Sequence, residues 1–255
     1  MFQNLITLRP TSAGVEFATH PDCAARIAPL LADYLALDTD LERIYRSLTA
    51  DRRLAAAIAR CRGMRVLRQD PWECLVCFLC TAASNIPRIT RNIESICQAY
   101  GKPLGEGAAA RHGFPTPQQL AAAGETELRA LGLGYRAAFL SSVARSIAAG
   151  ELDLLALRES PYEAALEALL SLHGVGDKVA NCVLLFALDQ PAAFPVDTHV
   201  AQRLREWYPA CARLKPLQMR AWAQEHFGPH AGYANHYLFH DRRLARQRPN
   251  LQQAL

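Results

Sequence analysis

Apolar residues recur at helical spacing along the chain from about residue 23 onward. Ile27, Leu30 and Leu31 form one such stripe, and a second runs from Leu41 to Leu48. Residues three and four positions apart lie on one face of a helix, so these stripes predict amphipathic α-helices joined by short loops.

Capping motifs within this apolar pattern predict where the individual helices begin. The segments "DPWE" at 70–73, "TPQQ" at 116–119 and "SPYE" at 160–163 each place a capping side chain before a proline, with Glu or Gln at the third helical position. The segment "TDLE" at 39–42 repeats the capping box without the proline. Gly150 closes a further apolar run, where a C-terminal glycine is expected.

The first twenty residues follow a different pattern. "NLITLRPTSAGVEFATHP" alternates apolar and polar residues around "TSAG", which predicts a β-hairpin. A lone hairpin is marginal, so we expect either the edge of a larger element or a flap on the helical body. The predicted division is a short β segment over 1–22 and a helical region over 23–255.

Composition and charge permit a polyanionic partner without requiring one. The chain is 51% hydrophobic, which indicates a globular protein, and its net charge is +4. No apolar run reaches the roughly eighteen residues of a membrane span, and the N-terminus lacks a signal-peptide pattern. We expect an intracellular protein with reduced thiols, cytoplasmic (nucleoid) if bacterial and nuclear if eukaryotic.

Three cysteines, Cys74, Cys77 and Cys80, have CxxCxxC spacing in "WECLVCFLC". A metal cluster uses such spacing when a fourth ligand lies nearby. The alternative is that small thiols fill a buried helix, among the large apolar residues of the same segment. We favour the buried helix and expect no metal there.

The stretch "LHGVGDKVANC" at 172–182 carries two signals. Gly174 and Gly176 allow a tight turn with amide groups at the start of a helix, an arrangement that binds phosphate. Lys178 is the one cation in the apolar helix that follows. A plain helix–turn–helix corner would use the same glycines, so the glycines alone leave packing and DNA-backbone binding both open.

A carboxylate follows nineteen positions after this lysine. "FPVDTHV" places Asp197 and His199 at the head of the next helix, after the loop "DQPAAFP". Antiparallel helices joined by such a loop have their starts on related faces, so we expect Lys178 and Asp197 to approach one another. Apolar surroundings favour a neutral, nucleophilic amine. The carboxylate can take its proton or stabilise positive charge on a sugar ring.

Six ordered motifs over roughly 34–242 give the chain a family resemblance. They are "LHGVGDKVANC", the step from Lys178 to "PVDTH", "RQDPWECLVCFLC…SNIPRIT", "HGFP", "LGLGYRAAFLSSVARSI" and "GPHAGYANHYLF". The sequence resembles the helix-hairpin-helix (HhH-GPD) base-excision DNA glycosylases, and within them the 8-oxoguanine DNA glycosylase/AP lyases. This resemblance implies a mainly α fold with two helical lobes around a cleft. The helix-hairpin-helix motif would lie at about 165–190, and the hairpin would be the remnant of an α+β domain.

The resemblance also implies a mechanism and a set of site residues. Lys178 would attack the anomeric carbon of a flipped nucleotide and leave a Schiff base that undergoes β-elimination, with Asp197 activating the lysine. The base pocket would draw on Cys182, Phe186, Asn235 and Phe239. The expected DNA contacts are Arg88, Tyr135, Arg136, Gly174, Gly176, Val179 and His199.

Roles within the DNA-contact set follow from the same resemblance. Tyr135 resembles an aromatic wedge, Arg88 and Arg136 resemble readers of the opposite cytosine, and His199 resembles a phosphate contact. The implied partner is damaged double-stranded DNA, bound by a monomer without any membrane. No cofactor is required, although the family holds a simple monovalent cation through backbone carbonyls of the hairpin. The iron–sulfur relatives need four closely spaced cysteines after the catalytic region, whereas only Cys211 follows Cys182.

The chain departs from the family pattern in three places. Ala83 stands where an asparagine is usual, which predicts weaker discrimination of the opposite base. Asn235 replaces a longer glutamine that reads the damaged base. The family's N-terminal domain carries a glycine carbonyl that detects 8-oxoguanine, and this chain resembles only the last strands of that domain. It is therefore either truncated or recognises damage differently.

Three functions remain open at this point. The first is a glycosylase/lyase acting on oxidised purines, with 8-oxoguanine opposite cytosine as the expected substrate. The second is a monofunctional or broader-range glycosylase, which releases a base without cutting the strand. The third is a non-catalytic or lesion-unselective DNA-binding module that keeps the fold.

Overall fold

The computed structural model of the chain describes residues 5–12, 14–20, 23–105 and 111–252. Two structural units emerge, and each is assembled from separate stretches of sequence. The first unit comprises Met1–Leu37, Trp72–Leu154 and Leu172–Gly174, and the second comprises Asp38–Pro71, Leu155–Ser171 and Val175–Leu255.

Helices dominate both units. In chain order they are α1 (Ala24–Tyr34), α2 (Leu41–Leu48), α3 (Arg52–Arg60), α4 (Pro71–Leu79), α5 (Ile86–Tyr100), α6 (Pro117–Leu128), α7 (Arg136–Ala148), α8 (Tyr162–Leu170), α9 (Asp177–Ala187), α10 (Thr198–Trp207), α11 (Pro216–Phe227) and α12 (Ala231–Gln252). The predicted mainly α fold is confirmed. None of the helices in the described part of the chain is both long enough and apolar enough to cross a bilayer.

The predicted N-terminal hairpin is also confirmed. Strand β1 (Leu5–Thr11) pairs antiparallel with β2 (Gly14–His20). Asn4, Ala13 and Pro21 of the predicted hairpin lie outside the described residues. A second short pair, β3 (Pro103–Leu104) with β4 (Arg111–His112), was not anticipated by the sequence pattern.

Helix boundaries follow the capping signals with two corrections. The capping box of α6 forms as predicted, since the side chain of Thr116 accepts from the Gln119 amide at 3.2 Å. Helix α2 is instead capped by Asp40, whose carboxylate accepts from the Arg43 amide at 3.0 Å, so it begins one residue later than a Thr39 cap would place it. Helix α8 also begins one residue late, because Pro161 is extended (φ −55°, ψ 147°) and precedes the helix.

Each unit has its own apolar core. Leu120, Leu128 and Leu140 are fully buried in the first unit, and Phe194 and Tyr237 are fully buried in the second. Burying each such side chain contributes about 1.5–3 kcal/mol to folding. These cores fix the helices that carry the candidate site.

The cysteines of α4 mostly belong to the core of the first unit. Cys74 and Cys80 are buried and Cys77 is partly exposed, so the buried-helix interpretation is confirmed for the first two. Burial raises the pKa of the Cys77 thiol to about 12 and that of Cys80 to about 11. Within the described ranges, no group of three His, Cys, Asp or Glu side chains is placed to hold a metal ion.

Candidate active site

The turn between α8 and α9 depends on one of its two glycines for shape. Gly174 has a φ of +85°, and a Cβ there would lie 2.3 Å from the ring of Phe139. Gly176 has an extended backbone (φ −97°, ψ 176°) as N-cap of α9, and a Cβ there would meet no atom within 4 Å. Gly174 is therefore required by conformation and packing, whereas Gly176 leaves open space at the helix start.

Replacing these glycines by alanine should have different consequences. We expect Gly174→Ala to lower the free energy of unfolding by about 2–4 kcal/mol, from backbone strain plus the clash with Phe139. Gly176→Ala should change it by less than about 1 kcal/mol. If the open space at Gly176 receives a DNA phosphate, Gly176→Ala weakens duplex binding although the fold is intact. Chemical denaturation measures the change in stability, and a titration with duplex DNA measures the change in binding. Equal stability of the two variants would contradict the prediction.

Three predicted site residues come together at the start of α9. Lys178 lies in the first turn of this helix and Cys182 one turn later, on the same face. Burial raises the pKa of the Cys182 thiol to about 12. The Lys178 ammonium, which donates a hydrogen bond to the thiol, opposes this rise, and the Asp197 carboxylate adds to it. Both charges therefore lie close to a thiol that is neutral at physiological pH.

Asp197 is held in place by the helix that it starts. It is the N-cap of α10, and its Oδ1 accepts a hydrogen bond from the backbone amide of Val200 at 2.7 Å. A carboxylate at a helix N-terminus is stabilised by the partial positive charge of that end. The side chain remains partly exposed, so the carboxylate has a defined orientation and access to a ligand.

Aromatic rings from α9 and α12 form a second part of the site. Phe186, one turn after Cys182, packs edge-on against His236 with ring centroids 5.7 Å apart. Phe239 packs edge-on against His199 at 5.9 Å. Burial lowers the pKa of His236 to about 4, so its imidazole is neutral at physiological pH. Sequence reasoning missed His236, although its place between Asn235 and Phe239 on α12 could have pointed to it.

Asn235 is predicted to read the damaged base, and the structure places its side chain inside the second unit. Its side chain is only 4% exposed, and its Nδ2 donates to the carbonyl of Pro195 at 2.8 Å. The amide group that would read a base is therefore bonded to the backbone. The short side chain keeps this amide inside the unit, where a nearby carbonyl satisfies it.

The remaining predicted contacts of the second unit, His199 and Val179, differ in how deeply they are buried. His199 is half-buried, and its Nδ1 is a buried atom without a hydrogen-bond partner among the described residues. Val179 is 8% exposed, so only its backbone could meet a phosphate. Their role in binding DNA stays a prediction.

Two predicted contacts of the first unit are exposed, as DNA contact requires. Tyr135 is 47% exposed, and its hydroxyl donates to the carbonyl of Ala82 at 3.2 Å. Its ring packs edge-on against Phe139. Arg88 is exposed in the first turn of α5, where the Asn85 side chain accepts from its backbone amide at 3.0 Å. The Tyr135 side chain is thus anchored through its hydroxyl, whereas Arg88 is held through its backbone and its side chain is exposed.

Arg136 is buried, in contrast to a side chain that reads an exposed base. It is 3% exposed, and its guanidinium donates to the backbone carbonyls of Ala82, Ala83 and Leu133. These bonds hold the turn that contains Ala83, a non-glycine residue with a φ of +45°. Arg136 therefore shapes this turn, and its contact with a cytosine stays a prediction.

The architecture and this cluster define a class of protein. A family model described as the HhH-GPD superfamily base excision DNA repair protein matches residues 76–229, directly after a match of residues 2–75 to the 8-oxoguanine DNA glycosylase N-terminal domain. The chain belongs to the HhH-GPD superfamily of base excision DNA repair proteins.

Several relatives within this superfamily are similar to the chain along most of its length. The chain is 36% identical over 251 residues to the N-glycosylase/DNA lyase OGG1 of Arabidopsis thaliana, covering 92% of this chain and 68% of the relative. It is 34% identical to the N-glycosylase/DNA lyase of Saccharomyces cerevisiae, covering 80% of this chain and 58% of that one. Among solved structures, the Clostridium acetobutylicum 8-oxoguanine glycosylase/lyase, bound to double-stranded DNA with cytosine opposite 8-oxoguanine, matches with a TM-score of 0.88 at 29% identity. That match covers 94% of this chain and 82% of the other.

Proposed function

We propose that this protein is a bifunctional DNA glycosylase and AP lyase that excises 8-oxoguanine opposite cytosine from duplex DNA. The observation that carries the proposal is the cluster of Lys178, Cys182 and Asp197 at the starts of α9 and α10. A nucleophilic amine with a carboxylate close by is what base expulsion and Schiff-base formation need. The names of the relatives support the same activity.

In the proposed reaction, the Nζ of Lys178 attacks C1′ of a nucleotide flipped out of the stack. The bond to the base breaks, and the base leaves with its electron pair and takes up the proton that the amine gives up through Asp197. Asp197 accepts a proton from the attacking amine and balances positive charge on the sugar. The adduct opens to a Schiff base, whose β-elimination cuts the strand.

Binding of the DNA backbone would use different groups in each unit. In the second unit, the open space at Gly176, the backbone amide of Val179 and the imidazole of His199 suit a phosphate. In the first unit, the exposed Tyr135 and Arg88 suit a vacated base position and the opposite strand. The protein would act as a monomer, in the compartment that holds the genome, either the bacterial cytoplasm or the nucleus.

A simple monovalent cation at the hairpin fits the turn. In the described structure, the carbonyls of Leu172 and Gly174 accept no backbone hydrogen bond, which leaves oxygen atoms for a hard cation. Such a cation would neutralise part of a bound phosphate's charge. No cofactor is needed for the proposed reaction.

A lesion-unselective DNA-binding module is the second candidate, because the side chains expected to read bases are changed or occupied. Ala83 carries no amide, and that of Asn235 is bonded to Pro195. On this alternative the protein would bind duplexes with and without a lesion equally and release no base. Parallel binding titrations at several salt concentrations separate backbone affinity from lesion recognition.

The test of the proposed function uses duplexes that carry 8-oxoguanine opposite each of the four bases. We expect free base, a cut strand and a borohydride-trapped adduct, with cytosine preferred opposite the lesion. Ala83→Asn should strengthen this preference because it restores an amide at a backbone position that asparagine tolerates.

Ala83→Gly is the matched control, because it relieves the same strain without adding an amide. It should raise the free energy of unfolding by about 0.5–1 kcal/mol and leave the opposite-base preference unchanged. Absence of base release from every duplex would overturn the proposed function.

A further inference from the structure

Two buried asparagines hold the loop that leads to Asp197. Asn181 in α9 is 0% exposed and Asn235 in α12 is 4% exposed. The Oδ1 of Asn181 accepts from the backbone amide of Phe194 at 3.3 Å, and the Nδ2 of Asn235 donates to the carbonyl of Pro195 at 2.8 Å. Side chains from two different helices therefore bond two consecutive residues of this loop.

The carboxamide of Asn181 is itself fixed by a network within the second unit. Its Nδ2 donates to the Asp177 carbonyl at 2.9 Å, and its Oδ1 accepts from the Tyr162 hydroxyl at 2.8 Å. The same hydroxyl accepts from Arg220 at 2.9 Å, and Arg220 lies 3.0 Å from the Asp177 carboxylate. Buried groups with this many partners have one orientation, so Asn181 is a rigid point of attachment.

The residues joined by this attachment lie close in sequence to both members of the proposed catalytic pair. Asn181 is three residues after Lys178 and directly precedes Cys182, while Asp197 follows Pro195 by two residues. Because Asp197 starts α10 through its bond to Val200, a shift of the loop would move its carboxylate as well. A misplacement of about 1 Å can slow an enzymatic reaction about 10²-fold.

We propose that Asn181 and Asn235 are positioning residues that set the carboxylate of Asp197 relative to the amine of Lys178. The inference rests on the proposed function, and it gives Asn235 a role different from base reading. The two roles make different predictions for a duplex that already contains an abasic site. Such a substrate has no base to read, yet it still requires the lysine and the carboxylate.

Hydrogen exchange measures the attachment without requiring any activity. In Asn181→Ala and Asn235→Ala, peptides covering 192–197 should exchange roughly ten-fold faster or more than in the wild type. Tyr162→Phe, a milder change that removes one bond to Asn181, should give a smaller increase in the same peptides. Unchanged exchange in all three variants would show that these side chains do not hold the loop.

Single-turnover kinetics measure the consequence for the reaction. Both alanine variants should slow 8-oxoguanine excision and cleavage of a preformed abasic site by about 10–100-fold. Their dissociation constants for a duplex with a tetrahydrofuran abasic analogue should stay within about three-fold of the wild type, because most of the proposed DNA contacts, such as Gly176 and Tyr135, do not lie on this loop. If Asn235→Ala slows 8-oxoguanine excision alone, Asn235 reads the base and the positioning proposal is wrong for it.

The Asn92→Ala variant is the control, because it removes a buried asparagine whose hydrogen bond lies outside the loop. Asn92 is 6% exposed and donates to the Leu131 carbonyl at 3.4 Å in the first unit. We expect it to lower stability without slowing either reaction, and equal slowing would mean that the effect is unspecific. If the wild type acts on neither duplex, the proposed function fails, and hydrogen exchange alone then decides whether the asparagines hold the loop.

Discussion

Lys178→Gln is expected to abolish the borohydride-trapped adduct and to slow excision of 8-oxoguanine on the order of 10³-fold or more. Glutamine keeps a polar side chain of similar length but has no nucleophilic amine. Strand cleavage should be lost together with base release, because both would pass through the same Schiff base. Single-turnover assays on a duplex with 8-oxoguanine opposite cytosine measure both products.

The chain offers convenient controls for this experiment because it contains only three lysines, Lys102, Lys178 and Lys215. Lys102→Gln changes an exposed lysine of the first unit and should leave the adduct and both rates unaltered. Peptide mapping of the wild-type adduct should find the modification on Lys178. An adduct on the N-terminal amine, or one that persists in Lys178→Gln, would refute the assignment of the nucleophile.

Asp197→Asn is expected to slow excision by about 10²–10⁴-fold while the fold stays intact. Asparagine caps a helix about as well as aspartate, so the bond from the Val200 amide can be kept. The variant lacks the negative charge that accepts a proton and stabilises the positive charge on the sugar. Single-turnover rates on 8-oxoguanine and abasic duplexes, with thermal unfolding alongside, measure the two effects separately.

The Asp197→Ala variant distinguishes the helix-capping role of the carboxylate from its proposed catalytic role. It should be as slow as Asp197→Asn in excision, and it should also lose about 1 kcal/mol of stability with the cap. An Asp197→Asn variant with nearly normal excision would mean that the carboxylate serves only to start α10. The protein would then need another acid–base group.

Local features of the sequence determined much of the fold. The capping box at Thr116, the glycine at 150 after α7 and the hairpin over Leu5–His20 appear where the pattern places them. Capping, turns and periodicity act between residues a few positions apart, so they can be inferred without knowing the rest of the structure. The two boundary errors, at α2 and α8, are each one residue: Asp40 caps α2 in place of Thr39, and the extended backbone of Pro161 delays the start of α8.

The sequence predicted those parts of the candidate site that have a recognisable residue pattern. The glycine turn and the step from Lys178 to Asp197 were visible in the sequence, and the structure brings Cys182 close to both charged groups. His236 was missed although it lies between the predicted pocket residues Asn235 and Phe239, because α12 also carries His240 and the sequence does not show which histidine faces the site. Only its packing against Phe186 places it beside the site.

By itself, the sequence determined the helical architecture and the turn before α9, and it marked the candidate amine and carboxylate. The tertiary structure alone decided which partners the buried polar groups have: Asn235 bonds the Pro195 carbonyl, and Arg136 holds the turn at Ala82. The physical reason is that a buried amide or guanidinium must satisfy its donors with whatever acceptor lies nearby. That acceptor can come from a residue tens of positions away, which no local pattern specifies.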